Sequence, residues 1–408
     1  MPWIVKTETE RLFKVGCIKF LVCTSTLMEG VNLPAKSIFV RAPRKGRNNP
    51  MNAVDFWNLA GRAGRQGKEF QGNIICIDTN NYELWGDTLY RTKTKYPIKS
   101  SVESVLQTKG NEIIQYINND LLGTQTRRES LYEHAITYVI EEYTRNNGLT
   151  SSKIKSLLST EVLTDLQNII ETMLRNVKLP QDILLRHQGI SPIAQQTLLS
   201  YFEGYKKDIQ QLIPLMPEDF NAIDNYHKII NRIQKHIDGN ASSRYNRYLA
   251  MLVVKWMRGY PLARIISDNE EFYKSDKAKA KKKLPAIIRD TMQDVEEYVR
   301  FLFIKQSACY VDILSYYLSS INSELVSQVP SLNIWLEFGA SQDTQIALMN
   351  LGLSRTTAIS LSEYIAADDY DMKKCIEWIK SNDIEQLDLS LIIKEEIMQV
   401  VNTSYLNE

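Results

Sequence analysis

The spacing of hydrophobic positions changes near residue 97, and the change predicts two kinds of structure. Before it, three short apolar runs at 18–24, 37–40 and 73–77 alternate with polar turns and predict buried strands. The segment 51–61 lies between the second and third runs and has the apolar spacing of a helix. Strand, helix and strand in this order predict an α/β domain with a parallel sheet.

Beyond residue 100 the apolar positions recur at intervals of three and four, as amphipathic helices require. The clearest of these stretches are 129–145, 165–177, 247–260 and 291–305. Prolines at 97, 180 and 330 mark candidate junctions. The predicted fold class is therefore α/β followed by all-α, with domains at 1–96, 97–183, 184–330 and 331–408.

Net charge, the length of the apolar runs and the cysteine and histidine content limit the classes of protein to which the chain can belong. The 408 residues carry a net charge of +1, so any basic surface must be local. No apolar run approaches the roughly 20 residues that a membrane span needs, and the charged N-terminus does not resemble a signal peptide. The five cysteines and four histidines show no metal-ligand spacing. These features predict a cytoplasmic protein with reduced thiols, no metal site and no membrane partner.

The stretch Gly61-Arg-Ala-Gly-Arg65 carries the first candidate chemistry. If the preceding helix continues, Arg62 and Arg65 share one face, and a guanidinium pair suits a transferring phosphoryl group. Glycines cost helix stability, so Gly61 and Gly64 predict the close approach of a nucleotide or a facing domain. The alternative is an ordinary helix end with two solvated arginines.

The second candidate is FLVCTSTLMEGVNLPA at 20–35. A predicted strand runs into a turn with three hydroxyl side chains, Thr24, Ser25 and Thr26, which can donate to phosphates. Ligands of open α/β sheets bind at strand ends. The alternative is a strand that simply enters a polar loop.

Together, CTSTLMEGVNLPA and NLAGRAGR resemble motifs V and VI of superfamily 2 helicases. The GVNLPA ending resembles the DExH branch of Ski-like helicases, and the chain is similar to bacterial anti-phage defence helicases of the Hachiman type. The resemblance implies that Thr24, with Ser25 and Thr26, contacts the nucleic-acid backbone. It also implies that Arg62 and Arg65 reach the γ-phosphate across a two-lobe interface.

The same resemblance implies a nucleotide-lining set made of Gly30, Asn32, Asn58 and Gly61. The family usually has glutamine where Asn58 stands, and the shorter amide reaches less far. More loosely, VKWMRGYPLARII at 254–266 is similar to the helical ratchet domain of these helicases, and 335–363 resembles the small helical module that follows. The four domains are then a RecA-like lobe, a winged-helix-like module, a ratchet-like domain and a small helical module.

Neither G-x-x-x-x-G-K-[ST] nor D-E-x-H occurs in the sequence. In the family both motifs lie on the first RecA-like lobe, where they hold the phosphates and Mg²⁺. We therefore expect the C-terminal part of a helicase with an incomplete second RecA-like domain. ATP and Mg²⁺ are the cofactors implied for the complete enzyme, and the implied partners are single-stranded DNA or RNA and a P-loop-bearing first lobe. Two alternatives stay open: a silent nucleic-acid- or protein-binding module from a truncated gene, and one half of a split helicase.

Two further features have competing interpretations. Six lysines lie within 274–283 and could contact phosphates, although such a run is more often a solvated surface. Trp256 and Tyr260 could stack on a base, but their helical spacing beside Leu252 and Val253 favours a place in the core.

Overall fold

A computed structural model describes residues 3–23, 35–44, 50–64, 72–85, 100–124, 128–239, 245–275 and 282–404. The chain divides into two compact units. The first unit comprises residues 1–98 with 390–395, and the second comprises 99–389 with 396–408. The described structure is mostly helical and contains a small two-stranded parallel sheet.

The sheet lies in the first unit and is formed by β1 (Ser37–Arg41) and β2 (Asn73–Ile77). Ser37 pairs with Asn73 and Arg41 with Ile77, in parallel register. The helix α2 (Ala53–Ala60) connects the two strands. Both strands and the helix were predicted from the apolar pattern, and the structure confirms them. The other helices that begin in this unit are α1 (Trp3–Lys14), α3 (Tyr82–Trp85) and α18 (Leu391–Ser404).

A small hydrophobic core packs against one face of the sheet. Val40 packs with Phe56 of α2 and with Trp85, which is only 1% exposed. The rings of Phe56 and Trp85 meet edge to face, with centroids 6.3 Å apart. The Trp85 indole N–H donates to the carbonyl oxygen of Ile77 at 2.9 Å, so α3 is tied to the end of β2.

The prediction of a strand at 18–24 is wrong over its described residues, 18–23, which form no strand. Phe20 is 89% exposed and Val22 is 98% exposed. An extended segment becomes a strand only when a neighbouring strand completes its hydrogen bonds, and an apolar run alone does not supply that neighbour. Among the described residues the ladder joins only β1 and β2.

The second unit is helical throughout its described residues, and the helices predicted at 129–145, 165–177, 247–260 and 291–305 are confirmed. Its α-helices are α4 (Ser101–Leu121), α5 (Ser130–Asn146), α6 (Thr160–Arg175), α7 (Gln181–Arg186), α8 (Pro192–Glu203), α9 (Ala222–His236), α10 (Tyr245–Met257), α11 (Leu262–Ser275), α12 (Leu284–Gln293), α13 (Phe303–Ser320), α14 (Leu332–Phe338), α15 (Asp343–Asn350), α16 (Arg355–Ser362) and α17 (Met372–Ser381). A π-helical segment, Asp294–Leu302, joins α12 to α13. Short 3₁₀ turns occur at Lys153–Ser156, Ile209–Leu212, Glu324–Gln328 and Ile384–Gln386.

A buried ion cluster joins α4, α5 and the start of α8. The Arg128 guanidinium donates to both oxygens of Asp120 at 2.7 Å and to Glu133 at 3.0 Å. The backbone N–H of Ser191 and the hydroxyl of Tyr116 also donate to Glu133. Burial alone would lower the pKa of Arg128, but its bonds to the two carboxylates outweigh burial and raise it. The cluster is therefore a paired, charged contact inside the helical unit.

Of the described helices, none is both long enough and apolar enough to cross a bilayer.

Candidate functional site

The candidate site in the first unit starts where α2 ends. The helix begins at Asn52, whose side-chain oxygen accepts a hydrogen bond from the Asp55 N–H at 2.8 Å. It ends at Ala60, and the Gly61 N–H donates to the Trp57 carbonyl at 2.8 Å. Arg62 therefore lies in the turn after the helix, so α2 does not continue as far as Arg62, and Arg65 lies outside the described residues. Gly61 is the C-cap residue of α2 and has a φ of −65°.

The turn that carries Arg62 is fixed by backbone hydrogen bonds. The N–H of Arg62 donates to Leu59 at 3.1 Å, and the N–H of Gly64 donates to Ala35 at 2.8 Å. Ala63 also bridges Ala35 in parallel register. Because Ala35 lies two residues before the first residue of β1, the turn lies beside the amino ends of the strands.

The structure gives two glycines of this region a backbone role. Gly64 has a φ of +95°, a conformation that L side chains rarely adopt. A Cβ on Gly72 would lie 2.2 Å from the Ala63 carbonyl carbon, so only glycine allows the turn to approach the start of β2. Gly61 shows neither of these requirements. Its φ is −65°, which any residue can adopt, and a Cβ there would lie 3.2 Å from the Trp57 carbonyl oxygen. The need for glycine at 64 therefore follows from the fold itself.

Three of the predicted site residues are described. Asn58 and Gly61 are exposed, and Arg62 is half-buried, so α2 and its C-terminal turn bring these three residues close together. The other six, Thr24, Ser25, Thr26, Gly30, Asn32 and Arg65, lie outside the described residues. The roles assigned to all nine stay predictions.

The carboxyl ends of the two strands carry polar contacts that the sequence reasoning missed. Arg41, the last residue of β1, pairs with Asp78, which directly follows β2, at 2.5 Å. Burial raises the pKa of the Cys76 thiol on β2. The ion pair and the Arg62 turn therefore lie at opposite ends of the strands. A charged residue at the end of each apolar run was the signal available in the sequence.

In the second unit, the structure places Trp256 in the core. It is 6% exposed, and its indole N–H donates to the Leu336 carbonyl oxygen at 2.8 Å. The guanidinium of Arg355 stacks on the ring, 3.9 Å from its centroid. Trp256 is thus enclosed and is not available for base stacking. This confirms the place in the core that its helical spacing predicted.

Two lysines of the 274–283 run that the structure describes are engaged within the chain. Lys274 pairs with Glu270 at 2.7 Å. Lys282 pairs with Asp290 at 2.9 Å and donates to the Tyr273 hydroxyl at 3.0 Å. These contacts favour a surface role for Lys274 and Lys282, and Lys277, Lys279 and Lys281 lie outside the described residues.

Comparison with known proteins adds evidence that geometry alone does not give. No protein-family model matches the chain. The chain is 34% identical over 85 residues to the Hachiman protein HamB of Bacillus cereus, and 30% identical over 175 residues to the DExH-box ATP-dependent RNA helicase DExH13 of Arabidopsis thaliana. The resemblance to DExH helicases is confirmed. A further relative is DNA polymerase theta of Drosophila melanogaster, 44% identical over 73 residues.

Each match covers only part of this chain and only part of the relative. These matches to HamB, DExH13 and polymerase theta cover 21%, 40% and 17% of this chain, and 8%, 8% and 4% of the relatives. The chain thus spans less than a tenth of the length of these curated relatives. The comparisons therefore support a helicase-related function and leave the activity of the whole proteins as a proposal.

Proposed function

We propose that this chain contributes the second half of an ATP site, and part of a strand-binding channel, to a nucleic-acid helicase or translocase. The observation that carries the proposal is the turn Gly61–Gly64 at the end of α2. It holds a half-buried arginine on a backbone fixed to Leu59 and Ala35. The similarity to helicases supports a helicase-related role for the chain.

A fixed turn suits an arginine that stabilises developing charge. A donor that is already oriented loses little freedom when the transition state forms, so its electrostatic effect is larger than that of a mobile side chain. In the proposal, Arg62 and Arg65 contact the γ-phosphoryl group, while Asn58 and Gly61 line the nucleotide. Thr24, Ser25 and Thr26 contact the backbone of single-stranded DNA or RNA.

The phosphates of ATP and the Mg²⁺ ion would be held by a first RecA-like lobe that carries the P-loop and the acidic motif. Bound ATP supplies the phosphoryl group whose transfer to water releases free energy for strand movement. The part of this chain is to place positive charge beside the group that is transferred. The arginines therefore act only when the two lobes meet.

Steady-state ATPase measurements on the 408-residue chain, mixed with a P-loop-bearing first lobe, test the proposal. The chain alone should show no turnover above a mock preparation, and the mixture should be stimulated by a single-stranded oligonucleotide. Arg62→Ala or Arg65→Ala should lower the turnover number by roughly 10³- to 10⁵-fold, as loss of an arginine finger does. The substrate KM should change little, because the contact strengthens in the transition state.

Arg41→Ala is the matched control. It removes an arginine from the same sheet, but from the end opposite the Arg62 turn, where the side chain is 66% exposed and paired with Asp78. Its turnover should stay within about twofold of the unmodified chain, since exposed ion pairs contribute little. Full activity in Arg62→Ala and Arg65→Ala would refute the arginine assignment, and turnover by the chain alone would refute the two-lobe site.

A further inference from the structure

The loop between the 3₁₀ turn Ile209–Leu212 and helix α9 carries two exposed apolar side chains. Phe220 is 97% exposed and Met216 is 51% exposed. Leaving a phenylalanine ring in water forgoes the stabilisation that burial would give. Single exposed apolar residues are common on protein surfaces, so the significance of Phe220 depends on how its loop is held.

The loop is fixed from outside by contacts with two other segments. The Arg258 guanidinium, after α10, donates to the Pro217 carbonyl oxygen at 2.6 Å and to the Asp219 carbonyl oxygen at 3.3 Å. The hydroxyl of Ser341 donates to the Glu218 carboxylate at 2.5 Å. These bonds hold the residues immediately before Phe220 against the helical unit.

The loop is also fixed from within. The Asp219 N–H donates to the Met216 carbonyl at 3.0 Å, and the Ala222 N–H donates to the Asp219 carbonyl at 3.1 Å. The Asp219 carboxylate accepts from the Asn221 N–H at 2.7 Å. Two successive turns thus hold the backbone on both sides of Phe220. The ring is displayed on a preorganised backbone, which lowers the entropy lost when another surface covers it.

The charges beside the ring indicate the kind of surface that would cover it. Glu218 and Asp219 are both exposed and precede Phe220 directly. Arg258 directs its guanidinium at the backbone carbonyls of this loop, whereas the Glu218 carboxylate accepts from Ser341 and the Asp219 carboxylate accepts from the Asn221 N–H. Two carboxylates repel a phosphate backbone and attract lysine and arginine side chains. This pattern disfavours nucleic acid and favours a protein.

We propose that the Met216–Phe220 loop is a docking site for a protein partner, with Phe220 inserting into an apolar pocket rimmed by lysine or arginine side chains. Interface hot spots are often aromatic anchors that fill well-packed, desolvated pockets, and complementary charge around them adds specificity for the partner. The site lies in the helical unit, whereas the described ATP-site residues proposed above lie in the first unit. It adds a protein contact to the nucleic-acid contacts of the proposed helicase.

Site-specific photo-crosslinking tests this in two stages. The full chain, with the photoreactive residue p-benzoylphenylalanine at position 220, is irradiated in the cells that produce it, and the protein adduct is identified by mass spectrometry. The adduct protein is then purified separately and titrated calorimetrically with the unmodified chain, Phe220→Ala, and the double variant Glu218→Lys with Asp219→Lys. Leu122→Ala, an apolar residue 76% exposed in the same unit, is the control.

We expect Phe220→Ala to raise Kd by at least about 30-fold, the effect of losing a hot-spot aromatic side chain. The charge-reversed double variant should also bind more weakly, and its defect should shrink as salt is added. Leu122→Ala should bind within about twofold of the unmodified chain. The proposal is overturned by the absence of a protein adduct at 220, by an adduct with nucleic acid or with a second copy of the chain alone, or by a Kd that Phe220→Ala leaves unchanged.

Discussion

Replacing Arg128 with methionine tests whether the helical unit contains the buried ion cluster that the structure shows. The variant keeps the volume of the side chain and removes its charge. It leaves Asp120 and Glu133, whose side chains are only 6% and 4% exposed, without their cation. Removing one partner from a buried ion pair costs about 3–5 kcal/mol, because the remaining charge is desolvated without compensation. We expect a loss of stability in that range.

Urea denaturation, followed by circular dichroism, measures the loss as a shift of the unfolding midpoint. The control is Arg175→Ala, which breaks an arginine–carboxylate pair of 3.4 Å with Glu171 on the surface of α6. The Arg175 side chain is 75% exposed, so the control should cost only about 0.3–0.5 kcal/mol. The contrast between two arginines of the same unit isolates the effect of burial.

The double variant Asp120→Asn with Glu133→Gln, used as a second background, separates the loss of charge pairing from the loss of packing. When Asp120→Asn and Glu133→Gln are introduced first, Arg128→Met no longer leaves an ionised carboxylate buried. Its cost should then fall well below the value in the unmodified chain, since interacting residues are not additive. A cost below about 1 kcal/mol in the unmodified chain, or an equal cost in both backgrounds, would refute the reasoning.

Two further predictions concern the helical unit. Gly339→Ala should destabilise the protein by on the order of 2–4 kcal/mol. The φ of Gly339 is +65°, and the new Cβ would lie 2.4 Å from Arg355 Nε and 2.5 Å from Trp256. Gly123→Ala is the control, because Gly123 has a similar φ but no atom within 4 Å of the new Cβ, and it should cost about 1 kcal/mol in the same urea assay. Equal costs of the two variants would contradict the packing argument. Burial lowers the pKa of His236 to about 4, so between pH 6.5 and 4 the unfolded chain binds more protons and stability falls as the solution is acidified. His236→Phe should lose less stability than the unmodified chain when urea midpoints are compared at pH 7.5 and pH 5, and an equal loss would rule out this titration.

Three of the nine predicted site residues lie in the described part of the chain. Asn58, Gly61 and Arg62 were singled out from a short stretch, and the structure places them at the end of one helix and in its turn. The sequence could not show how that turn is built. Its conformation depends on Ala35 and Gly72, which lie outside the stretch 58–65 and meet the turn only after folding. The predicted residues Thr24 and Arg65 lie outside the described part of the chain.

The sequence by itself determined the elements whose backbone geometry follows from a local pattern of residues. Strands β1 and β2 and helix α2 were predicted by runs and spacings of apolar residues, since each of these patterns suits one backbone geometry. The helices of the second unit followed for the same reason. A glycine at a helix end is also a local signal, but its meaning at Gly61 was misjudged, because the helix was expected to continue to Arg65.

Tertiary structure alone decided which apolar and charged residues found partners. The run at 18–23 resembles a buried strand, yet Phe20 and Val22 are exposed, because a strand depends on hydrogen bonds to another segment. Arg128 resembles a surface residue beside another arginine, yet it is buried between two carboxylates from α4 and α5. Phe220 resembles a core residue, yet its fixed loop holds it in water. Periodicity fixes backbone geometry within a segment, whereas burial and pairing depend on the segments that folding brings next to it.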